Sequence, residues 1–376
     1  MYYKNEQGIE HSKKIHSLYE RYVVGKRYGN PYISVIPIYE HKDNPLVSVI
    51  MPVYNGGKYI ASAVECVLIQ NYRNFELIII DDGSKDNTKL IIEGFKDEKI
   101  RYFGKKNEGP AAARNVGIKN SQGQFVVLLD ADDMMTPDFI SGHLQEFEKR
   151  PDADLIYCDD CLIDEKDKPI RVISRPEYKD SRKVIQDLFS SGFPVVPFRT
   201  CIRKEVFEKI GLYDEELLVA EDYDMIRRFV KQQLKLYHLP RALYLRRLTS
   251  GGLSRSFSEE KARSHFEVVR RIAETFEYDE LFPGVKWEKI APENRQMHLR
   301  CLVAATLLGI GQSYKLANSP GYALMAIDLA RKEIKECIKA EPENQVLQQL
   351  INRCRLYESE LAVKSAEGRQ KAYQPA

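Results

Sequence analysis

Between Leu46 and about residue 150 the chain alternates apolar runs with segments of helical spacing. "LVSVIMPVY", "FELIIIDDGS", "KIRYFGK" and "QFVVLLDADD" read as strands, and the longest apolar runs suit strands buried on both faces. Between and after them lie four helical segments. "KYIASAVECVLIQ" places Ile60, Val64, Val67 and Leu68 on one face, and "NTKLIIEGF" follows the second strand. "GPAAARNVGIKNS" carries Pro110 in its first turn, and "TPDFISGHLQEFEKR" opens with Thr136 and Pro137. This alternation predicts an α/β fold, a mostly parallel sheet with helices on both faces. In such sheets ligands bind beyond the carboxyl ends of the strands. That rule gathers Asn55, Asp81, Asp82 and the aspartates near 130 on one rim, although they are far apart in the chain.

The rim is acidic. "VVLLDADDMMTPD" ends a buried run in Asp130, Asp132 and Asp133, more like charge than a strand end carries without a counterion. Residues two apart in a strand face the same way, so Asp130 and Asp132 can share a ligand while Asp133 points elsewhere or begins a turn. Carboxylate oxygens suit Mg²⁺ or Mn²⁺, and magnesium completes its shell with water and phosphate oxygens. A diphosphate held through a divalent metal fits; a solvated loop with capping acids is the plain alternative. In "DDGSKDNT" an aspartate at the strand end can accept from a base N–H or a ribose hydroxyl. Gly83 permits the tight turn, and Asp86 can cap the next helix. In "NEGPAAARNVG" a helix N-terminus favours anions. Arg114, one turn inside, can reach a phosphate or a nucleotide edge, or form a surface salt bridge. "AEDYDMIRR" sets Glu221 and Asp222 side by side at a helix start. Capping accounts for one acid; the other, aimed into a cleft, can act as a general base, since an ordinary aspartate (pKa about 3.9) is ionised at neutral pH.

Further along, "ADLIYCD", "VVPFRTCIR" and "RALYLRRLTSGGLSRS" read as extended, the last entering a Gly/Ser-rich loop. "SRKVIQDLFSSG" and "AEDYDMIRRFVKQQ" read as helical, and "KEVFEKIGLYDE" as helix then turn. After 257 the pattern is helical only, in four segments. Gly311, Tyr314, Ala323, Ile327 and Ala330 partly fit one tetratricopeptide-type helical hairpin, too little for an array. The expected domains are an N-terminal extension (1–45), an α/β domain (46–256) and an α-helical C-terminal domain (257–376). The last is open to oligomer formation, partner binding or contact with a membrane surface. Lys and Arg total 57 against 55 acids, a net charge of +2, which argues against a nucleic-acid binder. "MYYKNEQGIEHSKK" lacks a signal pattern and "CLVAATLLGIG" is too short to span a bilayer. The expectation is a cytoplasmic protein, with peripheral contact at the inner face of the membrane left open. Seven scattered cysteines argue against a disulfide framework, and Cys158 and Cys161 have neither a second pair nor a nearby histidine to make a zinc site.

Taken together, "VSVIMPVYN", "ELIIIDDGSKDNT", "NEGPAAARNVGI", "GQFVVLLDADD" and "GLYDEELLVAEDYDMIRR" resemble, in order and spacing, glycosyltransferase family 2 over about residues 46–256. The resemblance implies the GT-A fold: a Rossmann-like, mostly parallel sheet flanked by helices, here followed by the α-helical domain. It implies an inverting glycosyltransferase that moves a sugar from a nucleotide diphosphate donor, most commonly UDP-linked. The acceptor hydroxyl would belong to a glycan, a lipid-linked glycan or a protein, as in polysaccharide biosynthesis. Carried over by position, Pro52, Val53, Tyr54 and Asn55 line the nucleoside pocket. Asp82, with Asp81 beside it, contacts the base. Arg114 binds the donor, and Asp130 and Asp132 form the D-x-D motif that holds Mn²⁺ or Mg²⁺, Asp132 directly. Asp222 is the catalytic base, and Glu221 shapes the acceptor site. Arg246 matches an arginine that many relatives carry after the last core strand, but Leu248 stands where they often have histidine. Arg247 or Arg255 is the expected substitute on the diphosphate side. The "TSGGLS" loop would close over the donor. Two other readings compete, a nucleotidyltransferase and a catalytically silent scaffold whose helical tail binds partners.

Overall fold

The computed structural model describes residues 38–178, 183–187, 199–249, 259–282, 285–316, 320–340, 343 and 345–371. The expected extension therefore lies outside the described residues up to position 37, as do residues 250–254 of the "TSGGLS" loop and Arg255. The chain divides into two compact units: residues 1–181 with 195–252, and 182–194 with 253–376.

The first unit begins as the alternation predicts. Strands β1 (Val47–Val53), β2 (Phe75–Asp81), β3 (Ile100–Gly104) and β4 (Phe125–Leu128) are separated by helices α1 (Ile60–Leu68), α2 (Thr88–Gly94) and α3 (Pro110–Asn120). These four strands are mutually parallel, in the order β3-β2-β1-β4. β2 has no exposed position, and its side chains serve both faces: Leu77 and Ile79 join one core, Ile78 and Ile80 the other. On the first face α1 packs Ile60, Val64 and Val67, together with Phe139 and Leu144 of α4 (Phe139–Lys149). That helix starts at Phe139, later than the Thr136 expected, because the Thr136 hydroxyl donates to Asp138 rather than opening the helix.

Beyond β4 the sheet turns mixed. β5 (Met134–Met135), β6 (Leu155–Ile163), β7 (Pro169–Ile173), β8 (Thr200–Arg203) and β9 (Leu236–Arg247) extend it in the order β4-β8-β6-β9-β5, with β7 paired to β6. β8 runs antiparallel to both β4 and β6, so β6 again points the same way as β4. β5 and β7 carry no clear sequence signal; each is read as strand only through its partner. Helices α5 (Val206–Ile210) and α6 (Glu221–Lys231) complete this unit. Cys158 and Cys161 lie buried inside β6, and all seven cysteines are free.

The second unit contains α7 (Glu259–Thr275), α8 (Tyr278–Leu281), α9 (Pro292–Leu316), α10 (Pro320–Ala340) and α11 (Gln345–Lys371). α10 packs against α7, α9 and α11, with Ala323, Ile327, Ala330 and Ile334 buried. Small residues at the α10 contact let the helix axes approach closely. Among the described residues no helix is long and apolar enough to cross a membrane.

The other face of the sheet gives a direct test of packing. A Cβ on Gly117 of α3 would lie 2.3 Å from Cγ2 of Ile50, which is fully buried. Alanine is the better helix former by about 1 kcal/mol, but overpacking a rigid β-branched neighbour costs about 1–3 kcal/mol. Gly117→Ala should therefore lower the denaturant midpoint; an unchanged or raised midpoint would show that α3 can retreat from β1.

Candidate active site

β1, β2 and β4 end on one edge, as parallel strands must, and the acids gather there. The chain after β1 turns through Asn55 at φ 51°, a left-handed conformation that asparagine tolerates. Asn55 N–H donates to Ser84 Oγ at 2.9 Å, and its Oδ1 accepts from Lys85 N–H at 2.8 Å. The two loops after β1 and β2 are thereby tied together. Pro52 and Val53 sit in β1, Asp82 N–H donates to the Val53 carbonyl at 2.8 Å, and Tyr54 is half exposed.

Asp81 and Asp82 are both buried but differ in their partners. Asp81 accepts from Tyr102 Oη and Ser84 N–H, each at 2.8 Å. Asp82 accepts from Lys105 Nζ at 2.7 Å and from the N–H groups of Glu108 and Gly109 at 3.0 and 2.8 Å. Asp82 thus orders the entry to α3, where Gly109 takes φ 95°. Asp86 receives Thr88 N–H at 3.1 Å and Gly57 N–H at 2.9 Å, so it closes the turn before α2.

The aspartates after β4 form a tight turn, Asp133 N–H donating to the Asp130 carbonyl at 3.0 Å. The carboxylate oxygens of Asp130, Asp132 and Asp133 can lie within 4.8 Å of one another. Asp133 is already committed: it accepts from Tyr244 Oη at 2.8 Å and from Arg247 N–H at 2.7 Å. Asp130 and Asp132 are only partly buried. Burial first, then the charge of Asp130, pushes Asp132 up to about 6. Burial and its two aspartate neighbours hold Asp133 well above the usual carboxylate range. Crowded carboxylate oxygens are a donor set suited to a hard divalent cation such as Mg²⁺ or Mn²⁺.

Arg114 joins this turn to the second acidic pair. It projects from α3, buried; its Nη1 donates to Glu221, and its Nη2 lies 3.2 Å from Asp130 Oδ1. Burial alone would lower its pKa, but the charges of Glu221 and Asp130 outweigh that and raise it, so the guanidinium stays charged. Tyr213 supports it, the Arg114 guanidinium carbon lying 5.6 Å from the ring centroid. The Tyr213 backbone is clamped by Asn115, which accepts from its N–H at 2.8 Å and donates to its carbonyl at 2.9 Å. Glu221 and Asp222 open α6 after Ala220 at φ 64°, and both are buried. Burial first, then the charge of Glu221, pushes Asp222 up to about 7. The site therefore brings a proton acceptor poised near neutral pH to one side of Arg114 and an oxygen-rich cation site to the other.

Residues 48–211 match the family described as glycosyl transferase family 2. Glycosyltransferase GlyG of Streptococcus pneumoniae is 30% identical over 240 residues, which cover 60% of this chain and 79% of that protein. This chain belongs to glycosyl transferase family 2. An uncharacterized glycosyltransferase of Rickettsia typhi is 37% identical over 190 residues, half of this chain. The chain spans 59% of the length of that rickettsial relative. The crystal structure of S. aureus TarS 1-349 in complex with UDP-GlcNAc superposes with a TM-score of 0.54 at 19% identity, covering 76% of this chain and 91% of that one. The GT-A fold expected from the motifs is the fold observed.

Within this family 2 fold, the predicted nucleotide, metal and acid–base residues converge on the edge beyond β1, β2 and β4. Arg246 and Arg247 sit at the end of β9 and behave differently. Arg246 is partly exposed and pairs with Asp160. Arg247 is buried: its guanidinium engages Asp167, donates from Nε to the Asp132 carbonyl at 2.7 Å, and lies 4.6 Å from the Tyr59 ring centroid. It holds the aspartate turn from beneath. Leu248 continues the sheet, its N–H donating to Ile163. Sequence reasoning missed Tyr102, Lys105, Asn115, Tyr213 and Tyr244, which hold the acids in place. Only Lys105, the last residue of a predicted strand, carried a usable signal.

Arg114 pairs with two carboxylates at once, and removing one partner of a buried pair costs roughly 3–5 kcal/mol. Arg114→Ala should lower the thermal midpoint accordingly, more than Arg114→Lys does; equal midpoints for wild type and both variants would show the bridge to be energetically idle. Asp222 makes a second prediction. Its folded pKa lies above its unfolded one, so the folded chain binds the extra proton, and stability declines as pH rises from about 4 to about 7. Asp222→Asn should flatten part of that decline in denaturant titrations across the same window. An identical slope in the variant would contradict the raised pKa.

Proposed function

We propose that this chain transfers a sugar from a nucleotide diphosphate donor, UDP-linked, to a hydroxyl of a glycan, a lipid-linked glycan or a protein, inverting the anomeric carbon. The observation that carries this reading is the Arg114 bridge, which links Asp130 of the D-x-D turn to Glu221 beside Asp222. A metal-diphosphate site and a base are what a direct displacement at an anomeric carbon requires, on opposite sides of the reacting atom. The UDP-GlcNAc complex of TarS, which shares the fold, supports the choice of donor.

On this reading Pro52, Val53, Tyr54 and Asn55 border the nucleoside, and Asp82 with Asp81 faces the base. Asp130 and Asp132 hold Mn²⁺ or Mg²⁺, which when bound stabilises negative charge on the departing diphosphate. Arg114 adds a fixed positive charge that needs no reorganisation during reaction. Glu221 orients Arg114 and raises the basicity of Asp222. Asp222 takes the proton from the acceptor hydroxyl as that oxygen attacks. Its pKa near 7 makes it a stronger base than an ordinary aspartate while leaving about half of it ionised at neutral pH.

The first test is calorimetric titration with UDP and with GDP, with and without Mn²⁺. UDP binding that depends on metal and vanishes in Asp132→Ala is expected; no binding of either nucleotide under any metal condition would favour the silent scaffold. Asp222→Asn should keep UDP binding while UDP release from a labelled UDP-sugar falls by about 10²–10⁴-fold. In the wild type that rate should rise tenfold per pH unit below about 7 and level off above, because Asp222 acts only unprotonated. A variant at full rate, or a profile flat from pH 5 to 8, would remove Asp222 from the role of base.

A further inference from the structure

Asp160 lies in β6, fully buried and opposite Tyr244 of β9. The register of this strand pair shifts between Cys158 and Asp159 and again between Asp159 and Asp160. Bulges of this kind re-aim side chains. Three arginines from three parts of the first unit converge on the Asp160 carboxylate. Arg175 donates to Oδ1 from Nε at 2.8 Å and from Nη2 at 2.5 Å. Arg199 places Nε 3.2 Å from the same oxygen, and Arg246 donates from Nε to Oδ2 at 3.3 Å. The neighbouring acid Asp159 is taken up by Arg175 N–H and His238, so among the described residues Asp160 is the one carboxylate paired with these three guanidiniums, and it cannot neutralise them all.

The surplus positive charge is not simply solvated. The side chains of Arg175 and Arg199 are 14% and 7% exposed; that of Arg246, at 39%, opens to solvent. Arg199 takes φ 79°, a left-handed conformation that costs a non-glycine residue free energy. Its Nε is close to Asp160 but not aligned, and has no hydrogen-bond partner. Burial lowers the Arg199 pKa; Asp160 opposes this, Arg175 and Arg246 reinforce it, and the net direction is down. A purely structural ion pair needs one arginine per carboxylate. Two more, one of them buried and strained, suit a place that awaits an anion.

Strand order locates the cluster relative to the donor. The nucleoside residues lie at β1 and β2, the D-x-D turn follows β4, and the arginines belong to the region of β8, β6 and β9. Val127 is level with Cys201, and Cys201 with Ile156. Three residues further along, the chain reaches Asp130 after β4 and Asp159 in β6, so the aspartate turn and Asp160 stand at similar height. The turn itself passes from β4 to β5, which pairs with β9 beyond β6, and Asp133 is bonded to β9, one strand from Asp160. Tyr244 spans the gap, opposite Asp160 in the sheet and donating to Asp133. The cluster therefore lies beside the aspartate turn, further along the strand order from β1 and β2 than β4 is.

We propose that Arg175, Arg199 and Arg246 form an oxyanion subsite for a phosphate or carboxylate carried by the acceptor, so that the chain glycosylates an anionic glycan. This rests on the transferase reading, under which the donor diphosphate occupies the aspartate turn and whatever lies beside it comes from the sugar or the acceptor. The test is calorimetric titration of the Mn²⁺- and UDP-saturated protein with inorganic phosphate. Phosphate should bind. Arg246→Gln, a change at a partly exposed side chain, should weaken it about tenfold or more, and Arg246→Lys should restore much of the loss. Asp160→Asn, which frees the guanidiniums, should tighten phosphate binding, whereas a merely structural cluster would move all three variants together in stability alone. Phosphate binding that is absent, or equal in wild type and Arg246→Gln, overturns the proposal. A preference for UDP-glucuronate over UDP-glucose that Arg246→Gln abolishes also overturns it, by giving the arginines to the donor sugar. If UDP itself does not bind, the transferase reading fails separately, and phosphate titration of the nucleotide-free protein against Arg246→Gln still decides the subsite.

Discussion

Everything at the rim of this sheet depends on keeping like charges close together without water to separate them. Asp130, Asp132, Asp133, Glu221 and Asp222 come from two distant segments, and one buried guanidinium, that of Arg114, stands between the groups. Carboxylates this crowded either bind protons or bind cations. Here Asp132 and Asp222 have pKa values pushed up to about 6 and about 7, and the three carboxylates of the turn offer oxygens within 4.8 Å of one another. The crowding that makes the site costly to fold is also what shifts its pKa values, since both arise from incomplete neutralisation.

The scaffold supplies the rigidity this requires. Parallel strands with both faces covered leave little freedom at their ends, and the loops beyond them are tied across strands as well as within themselves. Asn55 bonds to the loop after β2, Asp82 to the entry of α3, and Asp133 to β9. Arg247 fills the space beneath the turn, so the aspartates cannot relax apart. Each tie links segments tens of residues apart, which is why the site resides in the tertiary structure and not in any one motif.

A second basic centre balances the picture beside the turn. Asp160 and its three arginines reverse the charge ratio found around Arg114, one acid among three cations rather than several acids around one. The two centres, one rich in carboxylates and one rich in guanidiniums, stand side by side and are joined through Tyr244.

The strand–helix alternation, the burial of β1, β2 and β4, the common edge for Asn55, Asp81, Asp82 and Asp130, and the four C-terminal helices were all legible from periodicity. Periodicity is a local property, and long apolar runs admit few alternatives. Not legible were β5 and β7, which exist only through their partners, and the antiparallel insertion of β8 that turns the sheet mixed. Nor could the sequence distinguish Arg246 from Arg247. Adjacent and chemically identical, they alternate in direction along β9, so one stays partly exposed over Asp160 while the other is buried under the aspartate turn. By itself the sequence determined which acids would stand at a strand end, because apolar patterning dictates where strands stop. Only the tertiary structure decided which of those acids are paired, which have raised pKa values and which stay partly exposed, because charge balance is set by neighbours in space.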